Sequence, residues 1–255
     1  MELHKLWVND NNYQITSTKP FCSLFTLNEF VDKVFEFSFG MSFGNVGEHR
    51  SSRTGGILKR RKGELFINTF QGKMCEFGIY KYLRSINIQI EEPNMDLWKL
   101  GVWDDVDLEL NSLKINIKSA SYFSNLLLLE KQDWGINGEY LPNLGLKSSS
   151  YDLFVLTRLK PNSKNIMTSR RLFYIDQIDK KYLYDLIIPQ VWEFDIAGFI
   201  YHSDLIEIIR NQQVLPQNSM LNSYTKIDAD NYYCQSGDLR GLNEFKEILQ
   251  NKNEK

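Results

Sequence analysis

The stretch Asp104-Asp105-Val106-Asp107-Leu108-Glu109-Leu110-Asn111-Ser112-Leu113-Lys114-Ile115-Asn116-Ile117-Lys118 decides the fold. Apolar side chains fall at Val106, Leu108, Leu110, Leu113, Ile115 and Ile117, with polar ones between them, on both sides of Asn111-Ser112. Successive strand side chains point to opposite faces, so this alternation predicts a β-hairpin with one buried face. A two-residue loop at Asn111-Ser112 pairs Leu110 with Leu113. The same register sets Asp107 opposite Asn116 and Asp105 opposite Lys118. The polar face then gathers Asp105, Asp107, Glu109, Lys114, Asn116 and Lys118. A carboxylate, an amide oxygen and a lysine on neighbouring strands suit a hard cation and a water.

Upstream of the hairpin, Phe66, Phe70, Met74, Phe77 and Tyr80 recur three or four apart, which predicts an amphipathic helix from Gly63 to about Leu83. Residues 39–62 precede it as a flexible basic loop. Gly40, Gly44, Gly47, Gly55 and Gly56 alternate there with serines, His49, Arg50 and Arg53, and the loop ends in Lys59-Arg60-Arg61-Lys62. A further helix starts near Thr26, capped by Thr26 or Asn28, with Phe30, Val31, Val34 and Phe35 on one face. Ile86 to Trp103 reads as a strand and then a loop.

Downstream, Leu126–Glu130 reads as a buried strand or a short helix, and Tyr151–Arg158 as a central strand. Leu172–Ile175 and Trp192–Ile200 read as further strands. Helical patterns cover Lys180 to Ile188, Ser203 to Arg210 and Leu242 to Gln250, and the tail from Gln217 is rich in turns. Interleaved strands and helices make the expected class α/β with a central mixed β-sheet flanked by helices.

The chain has 255 residues, 42% of them hydrophobic, which suffices for one large core, and no repeat or low-complexity linker divides it. A net charge of −2 neither requires nor excludes a nucleic-acid partner, because such proteins often confine positive charge to one face. Cys22, Cys75 and Cys234 are odd in number and widely spaced, which argues against a disulfide framework or a zinc cluster and for a reducing cytoplasm. No apolar run reaches membrane-spanning length and no signal-peptide layout opens the chain, so no membrane partner is expected. Neither GxxxxGK[ST] nor GxSxG is present, which argues against nucleotide hydrolysis and acyl transfer.

Glu76 in the amphipathic helix, Asp107 on one strand, a tight turn, and Asn116-Ile117-Lys118 on the next strand occur in that order. This order resembles the PD-(D/E)xK nuclease superfamily, in particular the type II restriction endonucleases. Lys118-Ser119-Ala120-Ser121-Tyr122, Asn125 to Leu129 and Tyr151 to Val155 extend the likeness, which spans roughly residues 63–160. The resemblance implies a restriction-endonuclease-like core and Mg²⁺-dependent hydrolysis of phosphodiester bonds in double-stranded DNA by a homodimer. It gives Asp107 the aspartate role, Lys118 the lysine role and Glu76 the role of the helix glutamate. Asp105 is the other candidate for the aspartate. Asn116 stands where the family carries Asp or Glu, so it and the Ile117 carbonyl would be neutral ligands. On this reading residues 1–255 form one nuclease domain, with recognition elements at about 39–62 and 161–255.

DNA contacts are expected from His49, Arg50, Arg53, Lys59, Arg60, Arg61 and Lys62, which directly precede the candidate metal helix. Trp192-Glu193-Phe194-Asp195 and Asn211-Gln212-Gln213 are loose candidates for base readout, and Arg158, Arg170 and Arg171 weaker ones. Trp134, Tyr140, Trp192, Phe194, Tyr232 and Tyr233 read most simply as core or hairpin packing. Two other readings compete: a DNA-binding protein of nuclease fold that does not cut, motivated by Asn116, and an interaction protein whose charged hairpin face is solvated surface.

Overall fold

The structure, a computed structural model, describes residues 2–44, 60–95, 107–143 and 150–253. Its N-terminal part holds β1 (Trp7–Asn9), β2 (Asn12–Gln14), β3 (Phe25–Thr26), α1 (Val31–Ser42) and α2 (Lys62–Ser85). The central part holds β4 (Leu108–Leu110), β5 (Leu113–Ser121), β6 (Leu126–Glu130), β7 (Leu153–Lys160), α3 (Ser163–Thr168) and α4 (Lys180–Ile187). Then follow β8 (Glu193–Tyr201), α5 (His202–Arg210), β9 (Val214–Leu215), β10 (Met220–Leu221), β11 (Thr225–Lys226), β12 (Asn231–Gln235) and α6 (Leu242–Asn253).

The hairpin forms in the expected register: Leu110 faces Leu113, Glu109 faces Lys114 and Leu108 faces Ile115. Asn111 and Ser112 both have positive φ, 45° and 68°, as a two-residue hairpin turn of right-handed twist requires. The hairpin closes one edge of a five-stranded sheet ordered β3-β8-β7-β5-β4. In that sheet β5 and β7 run parallel and the other pairs antiparallel, so the sheet is mixed and the class is α/β.

Side-chain parity separates two cores. Ile115, Leu153 and Val155 pack with the helices, whereas Phe154, Leu156, Ala197 and Ile200 pack with α5 and with a second sheet ordered β6-β12-β9. A bulge where Leu156 faces Gly198 and Thr157 faces Ile196 shifts the parity along β8, so that Phe194 and Ile196 share the helix face with Phe199 while Ala197 shares the other with Ile200. Gly198 has φ +146°, and a Cβ there would lie 2.5 Å from the Arg240 carbonyl oxygen, so the bulge needs glycine.

Helix α2 is the main cover of the first face. Phe66, Phe70, Met74 and Phe77 of its expected stripe are fully buried, and Phe77 stacks on Phe30 at 4.7 Å. A Cβ on Gly63 would sit 1.9 Å from the Leu172 carbonyl oxygen, so glycine lets the first turn of α2 touch the 172–175 backbone.

Three expectations need correction. The first helix begins at Val31 after a 3-10 turn, and Asn28 caps nothing. Its amide instead bridges Gln190 O at 2.7 Å and Trp192 N at 3.0 Å, a long-range use that outcompetes the local cap. Leu172–Ile175 is a turn segment with no strand partner, because Phe173 fills the core as a plug while its backbone follows α2. The 86–95 stretch likewise holds no strand, although Ile88 is buried.

Among the described residues no helix is long and apolar enough to cross a membrane. Cys75 and Cys234 are buried and Cys22 is exposed. Burial pushes the Cys75 thiol up to about 12 and the Cys234 thiol higher still than an ordinary cysteine. A thiol reagent is therefore expected to titrate Cys22 alone in the folded chain and all three cysteines in denaturant. Rapid modification of more than one thiol before unfolding would contradict this packing.

Candidate active site beside β5

Strand β4 pairs with only the first residues of β5, and among the described residues no backbone pairs with the same edge of β5 beyond Ile115. Asp107, just before β4, fills the next position: its carboxylate accepts the Ile117 N–H at 2.8 Å. A side chain thus continues the ladder past the Leu108–Ile115 pair, at the position next to Asn116. Asn116 is buried, 4% exposed, and its amide oxygen has no hydrogen-bond partner among the described residues. A buried carbonyl oxygen without a donor is destabilising by roughly 1–3 kcal/mol. Its presence is consistent with an oxygen used by a ligand.

Two residues on, Lys118 shares the Asn116 face of the strand and lines a cleft of about 350 Å³. Glu130 at the end of β6 and Asp133 in the following 3-10 turn (Lys131–Asp133) line the same cleft, as do Tyr140 and Arg60. Among the described residues no carboxylate lies within ion-pair distance of Lys118.

Helix α2 packs against the opposite face of β5, that of Ile115 and Ile117. It reaches the cleft through Asn68 and Gln71, and Gln71 donates to Ser119 Oγ at 3.4 Å and accepts from Ser163 Oγ at 2.6 Å. Glu76, one turn further along, pairs with Lys73 at 2.6 Å, the two side chains being 23% and 14% exposed. The hairpin therefore brings together Asp107, Asn116, Ile117 and Lys118, while Glu76 starts from the other side of the sheet.

Glu130 and Asp133 were not singled out from the sequence. The parity of Leu126, Leu128 and Glu130, all three on the cleft, carried the signal for Glu130. Nothing local marks Asp133, which depends on the 3-10 turn. Among the described residues no group of three or more His, Cys, Asp and Glu is arranged as a metal cage. An Mg²⁺ site here would use Asp107, the Asn116 oxygen and water, a donor set Mg²⁺ accepts.

Of the basic run, Arg60 lines the cleft, Arg61 pairs with Asp176 at 2.5 Å and Lys62 opens α2. Asp105, His49, Arg50, Arg53 and Lys59 lie outside the described residues. Several loose candidates for base readout have structural roles instead. Trp192 and Phe194 are fully buried, in keeping with their reading as packing, and Glu193 pairs with Lys160 at 2.7 Å. Asp195 is bonded to Arg158, and both are buried. The Gln213 amide donates to Tyr233 O at 3.1 Å inside the core. Arg170 and Arg171 stay exposed.

No protein-family model matches the chain, and no curated protein or solved structure is detectably similar to it.

Proposed function

We propose that this chain is an Mg²⁺-dependent endonuclease that hydrolyses phosphodiester bonds in double-stranded DNA, a type II restriction enzyme of the PD-(D/E)xK kind acting as a homodimer. The observation that carries this reading is the pairing of Asp107 with the Ile117 amide, next in the strand to Asn116, whose amide oxygen has no partner among the described residues, and to Lys118. Asp107, Asn116 and the Ile117 carbonyl would hold the ion, with Glu76 as the helix carboxylate of the resemblance. Bound Mg²⁺ supplies charge neutralisation at the phosphate and lowers the pKa of a coordinated water. Lys118, facing the cleft, orients the attacking water and steadies negative charge on the phosphate. Arg60, on the cleft wall, meets a neighbouring phosphate. Two copies on a symmetric duplex site would cut both strands.

The test is incubation of a long mixed-sequence duplex with Mg²⁺, with EDTA, and with a Lys118→Ala variant. Discrete fragments are expected from the wild type in Mg²⁺, absent in EDTA and reduced about 10²–10⁴-fold in the variant. Uncut DNA that nonetheless shifts on a gel would replace this reading with the binding protein of nuclease fold, which the neutral Asn116 favours. Neither cutting nor salt-dependent binding would overturn both.

A further inference from the structure

A second depression, of about 760 Å³, adjoins the cleft and shares Arg60, Ser124, Leu126, Leu128 and Asn231 with it. We propose that this groove holds an unpaired nucleic-acid strand leading to the cleft, its bases stacked on Phe123, Tyr174 and Tyr224 and its phosphates met by Arg60, Lys164 and Lys226. The inference rests on the nucleic-acid part of the proposed function and adds a strand state and a second site to it.

The three rings come from three separate loops and are 58%, 68% and 80% exposed. Large rings left in water around one groove mark a contact surface more than a folding need. The backbone that carries Tyr224 is fixed, and the other two rings each lean on a neighbouring ring. Tyr224 follows a tight turn at Asn222-Ser223, both with positive φ, 48° and 69°. That turn is pinned from β2 and the residue after it: Ser223 N–H donates to Asn12 Oδ1 at 2.9 Å, and Ile15 N–H donates to Asn222 Oδ1 at 3.2 Å. Tyr174 sits edge-on to buried Phe173 at 4.9 Å, and Phe123 edge-on to Tyr122 at 5.3 Å. A turn fixed before binding leaves less backbone to be ordered when a base stacks on the ring it carries.

The charge fits a polyanion. Arg60, Lys164 and Lys226 outnumber Glu64 and Asp228 on the groove wall. Aromatic faces beside cations form the usual platform for single strands, whose bases expose their π-faces. A paired duplex hides those faces in its stack and reaches such rings only where a base is unstacked or flipped. An acidic polypeptide would satisfy the cations and leave the rings unused.

The experiment is fluorescence anisotropy in EDTA with a labelled twelve-nucleotide oligo-dT, a blunt duplex of equal length as control, and poly-glutamate as competitor. Proteins are the wild type, Tyr224→Ala, Tyr224→Phe, Tyr174→Ala and Lys164→Gln, each checked for an unchanged melting temperature. Oligo-dT affinity should fall roughly tenfold in each alanine variant and survive in Tyr224→Phe. Lys164→Gln should flatten the log–log salt dependence by about 0.7. Oligo-dT affinity equal in the wild type and the alanine variants, its absence in the wild type, or equal displacement by poly-glutamate overturns the proposal. Magnesium-dependent duplex cleavage, measured in parallel, separates the two readings. Cutting without ring-dependent strand binding removes the groove inference alone, and ring-dependent binding without cutting removes the nuclease alone.

Discussion

Arg158→Ala is expected to destabilise the fold by about 3–5 kcal/mol, a large share of a typical domain's stability. Arg158 and Asp195 are 1% and 2% exposed and face each other across β7 and β8. The guanidinium donates twice to the carboxylate, at 2.9 and 2.5 Å, and also to Lys19 O at 2.8 Å and Pro20 O at 2.9 Å. The Asp195 carboxylate accepts the Cys22 N–H at 2.9 Å. The pair thus clamps the 19–22 segment over the sheet. Truncating Arg158 leaves Asp195 as a buried charge and strands two carbonyl oxygens, a far larger effect than losing an exposed ion pair. Lysine will not rescue it, because a single ammonium cannot reproduce the fork. Urea unfolding decides the matter, and a loss below about 1 kcal/mol would show that the clamp contributes little.

The second large effect is conditional. Asn116→Asp puts a second carboxylate beside Asp107 in a buried position. Two such charges 4 Å apart repel by about 4 kcal/mol at an effective dielectric of 20. In EDTA the variant should therefore melt below the wild type. Saturating Mg²⁺ should recover most of the loss, since a ligand at 100 times its Kd stabilises by about 2.7 kcal/mol. Cleavage should rise with the recovered charge. Melting curves with and without Mg²⁺ give the answer: an equal deficit in both conditions would remove Asn116 from any metal site.

Legibility differed between the two halves of the candidate site. The hairpin was readable because period-two alternation and a two-residue turn fix pairing locally, and Asp107, Asn116 and Lys118 followed from that register. Glu76 was readable as a helix residue, but its pairing with Lys73 and its place on the far side of β5 follow from how α2 docks. The same holds for Asn28, whose capping chemistry is spent on Gln190 and Trp192, more than 160 positions away.

By itself the sequence determined the hairpin and its register, the buried stripe of α2, the central strands β7 and β8, and the helices α4, α5 and α6. Each is encoded by periodicity or turn chemistry within a few residues. The tertiary structure alone decided which charges meet. It buried Arg158 on Asp195, paired β12 with β6 in antiparallel register, and set Glu130 and Asp133 on the cleft that Lys118 also lines. Contacts of that kind join residues distant in the chain, and a charged side chain carries no local mark of whether its partner will be water, a carboxylate or a substrate.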